Sequence, residues 1–140
     1  MEIIFKDLIS YSKPLGIKLA LENLSVSSNS YGENVFELNE VFSIADERTQ
    51  LGFTLDFCHG ETSGNTYNLL NQFGGNVLNV HMSGKAHAPF LSPNLSLEKF
   101  LIKLGEFGYD GPITLELRPK SSKDDILQTK MVLEKLIDRV

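Results

Sequence analysis

Apolar positions along this 140-residue chain change their spacing repeatedly between a helical and a strand-like period. Ile3, Ile4, Leu8 and Tyr11 recur at helical spacing until Pro14 and Gly16 break the pattern, which predicts a short helix over residues 2–12. In "IKLALEN", residues 17–23, Ile17, Leu19 and Leu21 alternate with Lys18, Ala20 and Glu22, so a first strand is expected near 17–22, followed by the Ser/Asn-rich loop "NLSVSSNSYG". Val35, Phe36, Leu38, Val41, Phe42 and Ile44 form a helical stripe between Glu33 and about Glu47, and "LGFTLDF" then gives strand two, near 51–56. The same order recurs. A helical "NTYNLLNQF" precedes strand three, "NVLNVHM" (near 77–82), and "SLEKFLIKLGEFG" precedes strand four, "PITLEL" (near 113–117). A last helix opens at Ser122 with Asp125 three residues on, a capping-box pattern, and runs towards Val140.

Strands separated by helical segments of this length are joined by right-handed crossovers and lie parallel, which defines an α/β architecture. A complete eight-stranded (β/α)8 barrel takes about 250 residues, so four βα units in one domain, residues 1–140, amount to about half of one. No linker, low-complexity stretch or close internal repeat divides the chain.

Side chains alternate faces along a strand, so parity assigns them. One face carries Lys18, Ala20 and Glu22, then Gly52, Thr54 and Asp56, then Val77, Asn79 and His81, then Thr114 and Glu116. The other is wholly apolar: Ile17, Leu19, Leu21, Phe53, Leu55, Leu78, Val80, Met82, Ile113, Leu115 and Leu117. The apolar face is expected under the helices. The opposite face is small and polar, with an ionisable residue at the C-terminal end of every strand, where parallel α/β folds bind their ligands. Three carboxylates and an imidazole brought together are costly to ionise without a compensating cation. Glu22, Asp56, His81 and Glu116 are therefore candidate ligands of one divalent metal ion, and a thiolate-free oxygen and nitrogen set suits Mn²⁺, Mg²⁺, Co²⁺ or Zn²⁺. Cys58 is expected to be buried and without a catalytic role. His59 and His87 are expected on the loops leaving strands two and three, which open at the same site, and are candidates to touch a substrate or the metal.

Composition narrows the function classes. A formal net charge of −5, without long runs of one sign, argues against a nucleic-acid surface. The single cysteine excludes an internal disulfide framework and suits the cytoplasm. The N-terminal stretch lacks a secretory signal pattern, and no apolar run reaches membrane-spanning length, so no membrane partner is expected.

With these segments in place, the chain resembles the C-terminal half of the xylose isomerase-like barrels, which include sugar-phosphate isomerases, the tagatose/psicose 3-epimerases and the endonuclease IV family. "LALENL" looks like their fifth strand with its metal-binding glutamate, "LDFCHG" like the sixth with Asp-x-x-His, "VHMSG" like the seventh, and "GYDGPITLELRP" like the eighth. The resemblance to the epimerase branch implies one divalent metal held by Glu22, Asp56, His81 and Glu116. It also implies Glu22 and Glu116 as the acid and base of a proton transfer beside a carbonyl, and His59 and His87 as contacts to the oxygens of a small sugar or sugar phosphate. The endonuclease branch has an Asp-x-His pair after the seventh strand; here the stretch reads "KAH", with Lys85 in the aspartate's place, which argues against its three-metal site. "GKAHAPFLSPN" contains no glycine-rich phosphate cradle.

The first half of the barrel is missing from this sequence, and four parallel strands leave two open edges that invite pairing. A homodimer or a separate N-terminal half-barrel chain is the expected partner. Three function classes follow: an isomerase or epimerase that needs a second half-barrel, a non-catalytic metal- or sugar-binding or assembly module, and, behind both, repair of the endonuclease IV type.

Overall fold

A computed structural model describes residues 2–25, 31–44 and 51–139. Four strands, β1 (Leu19–Glu22), β2 (Leu51–Asp56), β3 (Val77–Met82) and β4 (Ile113–Leu115), form one parallel sheet in the order β1-β2-β3-β4. Among the described residues six α-helices accompany them: α1 (Glu2–Ser12), α2 (Val35–Ile44), α3 (Phe57–Ser63), α4 (Thr66–Phe73), α5 (Leu95–Glu106) and α6 (Lys123–Ile137). This is the expected α/β half-barrel. The ends of the helix read from Glu33 to Glu47 and of the loop after strand one fall partly outside the described residues.

The apolar face packs as parity predicts along the two central strands. Phe53, Leu55, Val80 and Met82 are fully buried under the helices, against Leu38, Phe42, Phe73 and Phe100. Phe73 stacks on Phe42 with ring centroids 4.9 Å apart and meets Phe53 at 5.0 Å, tying α2 and α4 to β2. The edge strands are less covered: Leu19, Leu21, Ile113 and Leu115 are half-buried. At the start of α6 the Ser122 hydroxyl accepts from the Asp125 N–H while the Asp125 carboxylate accepts from the Ser122 N–H, the full capping box.

Four readings are corrected. β1 begins at Leu19, leaving Ile17 exposed outside it, and β4 ends at Leu115, so Glu116 and Leu117 lie beyond the strand. In α1 the apolar side chains that pack against the core are the half-buried Phe5 and Ile9, whereas Ile4, Leu8 and Tyr11 are exposed; in α2, Phe36 is exposed. Val77 and Leu78 exchange faces. Phe53 pairs with Val77 but Thr54 with Asn79, so Leu78 is an extra residue in β3, a β-bulge. A Cβ on Gly52 would come within 2.1 Å of Leu78 Cδ1, which places the Leu78 side chain over Gly52 on the polar face. Lastly, the segment after β2 is not a loop but α3, with Asp56 as its N-cap.

Candidate functional site

Each strand delivers one ionisable side chain to the same place. Glu22 and Asp56 are the last residues of β1 and β2, His81 is the last but one of β3, and Glu116 follows β4, where its N–H donates to the Met82 carbonyl at 3.2 Å and so prolongs the ladder. The pairing sets their heights: Glu22 is level with Thr54, Asp56 with His81, and His81 with Thr114. One ligand atom from each of Glu22, Asp56, His81 and Glu116 lies within 4.8 Å of all the others, so the set could hold a metal ion. His81 Nδ1 sits between the glutamates, 3.3 Å from Glu22 Oε1 and 2.9 Å from Glu116 Oε2, and 4.0 Å from Asp56 Oδ2.

The hydrogen bonds around the cluster leave its inward atoms free. Asp56 is fully buried; its Oδ1 accepts the His59 backbone N–H at 2.7 Å as the cap of α3, while Oδ2 has no hydrogen-bond partner. His81 Nδ1 and Glu116 Oε2 are likewise buried and unpartnered, because their close approach lacks hydrogen-bond alignment. Buried polar atoms are rarely left unpaired. Three of them at one point, all from a set of carboxylate oxygens and an imidazole nitrogen, fit a hard or borderline divalent cation.

The electrostatics agree. Burial pushes the Asp56 carboxyl up to about 6, helped by the neighbouring Glu116 and resisted by the His59 N–H and imidazole. Burial also acts to raise Glu116, but Asp56 and the imidazoles of His81 and His87 outweigh it and hold Glu116 below the usual carboxylate range. One carboxyl biased towards its neutral form beside one biased towards its anion is the pattern of crowded acids lacking a shared cation.

His59 and His87 flank the cluster. His59 is carried on α3; its Nδ1 is 2.9 Å from the Asn23 carbonyl and so carries the proton, leaving Nε2 as the basic nitrogen of the neutral ring. It also lies 4.0 Å from Glu22 Oε1 and 3.8 Å from Asp56 Oδ1. His87, on a tight turn with φ 53°, places Nδ1 3.2 Å from the Glu116 carbonyl and 3.3 Å from Ser83 Oγ. The two rings meet edge to face at 5.2 Å. All six residues singled out from the sequence are thus brought together. Cys58 is buried and outside the cluster.

One residue at the site escaped the sequence reading. Asn23, almost fully buried, accepts the Asp56 N–H at 2.8 Å and donates to the Asp56 carbonyl at 3.0 Å through its side chain, while its own carbonyl holds His59. It extends the β1–β2 ladder by one side-chain rung and fixes the end of β2. Its signal was present: a polar residue at an apolar parity position directly after Glu22.

Comparison with known proteins places the fold. Residues 4–136 match the family model of the xylose isomerase-like TIM barrel. An uncharacterized protein of Methanocaldococcus jannaschii, MJ1311, is 27% identical over 142 aligned residues, covering 96% of this chain and 47% of that protein. The crystal structure of a D-tagatose 3-epimerase-like protein superimposes with a TM-score of 0.82 at 25% identity, over 99% of this chain and 54% of that one. That of the Escherichia coli 3-keto-D-glucoside 4-epimerase YcjR gives 0.78 at 15% identity, over 96% and 51%. The chain spans about half the length of the proteins it matches.

Proposed function

The chain belongs to the xylose isomerase-like TIM barrel family, and from that premise we propose that it is the metal-binding half of a sugar or sugar-phosphate isomerase or epimerase, completed by a second half-barrel. The observation that carries this reading is the convergence of Glu22, Asp56, His81 and Glu116 from four strand ends, three of them with an unpartnered buried atom aimed at a common point. These four would hold one divalent ion, of the Mn²⁺, Mg²⁺, Co²⁺ or Zn²⁺ class. When bound, such an ion polarises a substrate's carbonyl and hydroxyl oxygens and acidifies the adjacent C–H.

The protein's own groups do the rest. Glu22 and Glu116 approach His81 Nδ1 from the first and last strands and are the more accessible carboxylates, with side chains 32% and 42% exposed against none for Asp56. On this reading one takes a proton from carbon beside the carbonyl and the other returns a proton from the opposite side. Asp56 is a ligand only, since its second oxygen is committed to α3. His59 and His87, each with Nδ1 tied to a backbone carbonyl, hold their rings across the mouth, oriented to hydrogen-bond sugar oxygens. The similar structures are those of a D-tagatose 3-epimerase-like protein and a 3-keto-D-glucoside 4-epimerase, which supports a carbohydrate substrate. We place the protein in the cytoplasm, acting on a small molecule and not on nucleic acid, in keeping with its acidic balance and lone cysteine.

The test is solvent exchange. Incubated with ketoses and their phosphates in D₂O with Mn²⁺, the assembled protein should wash deuterium into the carbon next to the carbonyl, and Glu22→Gln or Glu116→Gln should abolish this. Absence of exchange with every sugar tested would overturn the catalytic assignment. A second reading, a binding module without turnover, draws on the polar face below the site, where Ala20 and Thr114 are exposed. It predicts thermal stabilisation by a sugar without exchange.

A further inference from the structure

A closed circuit of hydrogen bonds joins a candidate metal ligand, Asp56, to a candidate substrate contact, His59. The Asn23 side chain accepts the Asp56 N–H at 2.8 Å and donates to the Asp56 carbonyl at 3.0 Å. The Asp56 side chain accepts the His59 N–H at 2.7 Å, and the His59 ring donates back to the Asn23 carbonyl at 2.9 Å. Each side chain thus holds the backbone of the next residue, across the end of β1, the end of β2 and the first turn of α3. Asn23 and Asp56 are buried, and Asp56 Oδ2, the oxygen outside the circuit, is unpartnered and belongs to the cluster of ligand atoms.

We propose that this circuit is a coupling device: a divalent ion held through Asp56 Oδ2 orders α3 and fixes the His59 ring, so that the site is set for substrate once the ion is in place. The coupling rests on the metal site proposed above and adds its regulation.

α3 is the kind of element that such coupling can control. It has seven residues, Gly60 among them, and isolated helices shorter than about 12–15 residues are marginal. Thr62 and Ser63 turn their hydroxyls back onto carbonyls of the same helix, those of Cys58 at 2.7 Å and His59 at 2.9 Å, a pattern that slightly weakens a helix. A helix start leaves N–H groups without an internal partner, and that of His59 is met by Asp56 Oδ1. Opening this turn breaks the 2.7 Å bond and frees the Asp56 carboxylate from the place where its other oxygen lies 4.0 Å from His81 Nδ1. A cation bound there must leave before α3 opens. Linkage then multiplies the closed population by one plus the ratio of free ion to its dissociation constant, and the effect is reciprocal, since whatever orders α3 tightens the ion. The circuit extends this to the imidazole. His59 Nδ1 is held by Asn23, and Asn23 is held by the Asp56 backbone, so a fixed Asp56 fixes the ring as well as the helix.

Amide hydrogen exchange resolved by NMR tests this on the full chain, with chelator and with Zn²⁺, a diamagnetic ion. With free Zn²⁺ at about ten times its measured dissociation constant, the His59 amide should exchange about tenfold more slowly. The ring ¹⁵N spectrum of His59 should then show one fixed Nδ1–H tautomer. Amides at the opposite end of the sheet, those of Phe107 and Gly108, should not respond. Asp56→Asn keeps a cap, since Asn serves as well as Asp there, but loses the anionic ligand; its His59 amide should exchange as in the metal-free wild type and ignore Zn²⁺. Zn²⁺ bound by the wild type with an unchanged His59 rate overturns the coupling and leaves the metal site standing. A slowing that Asp56→Asn retains overturns the coupling too. A wild-type chain that takes up no Zn²⁺ overturns the metal site, and the coupling with it.

Discussion

Asp56 divides its two oxygens between two tasks: Oδ1 caps α3 and Oδ2 faces the cluster without a partner. Its carboxyl, raised by burial to about 6 in the metal-free protein, must lose its proton for a cation to bind. Metal affinity should therefore be level above pH 7 and fall as pH drops through 6, by up to about tenfold per unit from this group alone; titration calorimetry over pH 5–8 reads it, and a pH-independent affinity would refute it. Asn23 sets the position of that carboxylate. Asn23→Ala removes the partners of the buried Asp56 N–H and carbonyl and should cost about 1–3 kcal/mol in denaturant unfolding. It should also weaken metal binding about tenfold, a loss that a merely structural residue remote from the site would not produce. At this scale the sequence was informative because four chemically unusual residues each close an alternating segment. Asn23 was overlooked because its role, a side-chain rung between two strands, exists only once β1 and β2 are paired.

Among the elements, the central strands were legible and the edges less so. β2 and β3 are covered on one face by helices, so their alternation is clean from Phe53 to Asp56 and from Asn79 to Met82. The bulge at Leu78 follows from the register between two strands, which neither sequence segment contains by itself. It explains Gly52: with Leu78 turned onto the polar face, a methyl group there would meet Leu78 Cδ1 at 2.1 Å. Gly52→Ala should destabilise the fold by about 1–3 kcal/mol, and Leu78→Ala should relieve most of that in a double-mutant cycle. Additive effects in the cycle would show that the two residues do not collide. α3 was missed because seven residues that include Gly60 carry too little periodicity to register; Asp56 as its N-cap and the burial of Phe57 against Phe100, centroids 4.8 Å apart, stabilise it. α1 was read on the wrong face because its exposed apolar residues, Ile4, Leu8 and Tyr11, outnumber the half-buried Phe5 and Ile9.

For the molecule as a whole, the candidate metal cluster lies at the end of a polar face that the described residues leave partly uncovered. The polar face that would line a closed barrel is open at Ala20 and Thr114, and among the described residues no helix is long and apolar enough to cross a membrane. Activity should therefore depend on assembly. Deuterium wash-in by the assembled protein should fall about 100-fold or more in Glu22→Gln or Glu116→Gln. Everything rests on the four convergent side chains being a metal site. The most direct measurement is the number of divalent ions bound per chain by unchelated protein, read by elemental mass spectrometry beside Asp56→Ala/His81→Ala. One ion per chain, lost in the variant with its helical content unchanged, is the predicted result; a wild-type protein that binds none after dialysis against Mn²⁺, Mg²⁺, Co²⁺ or Zn²⁺ would contradict it.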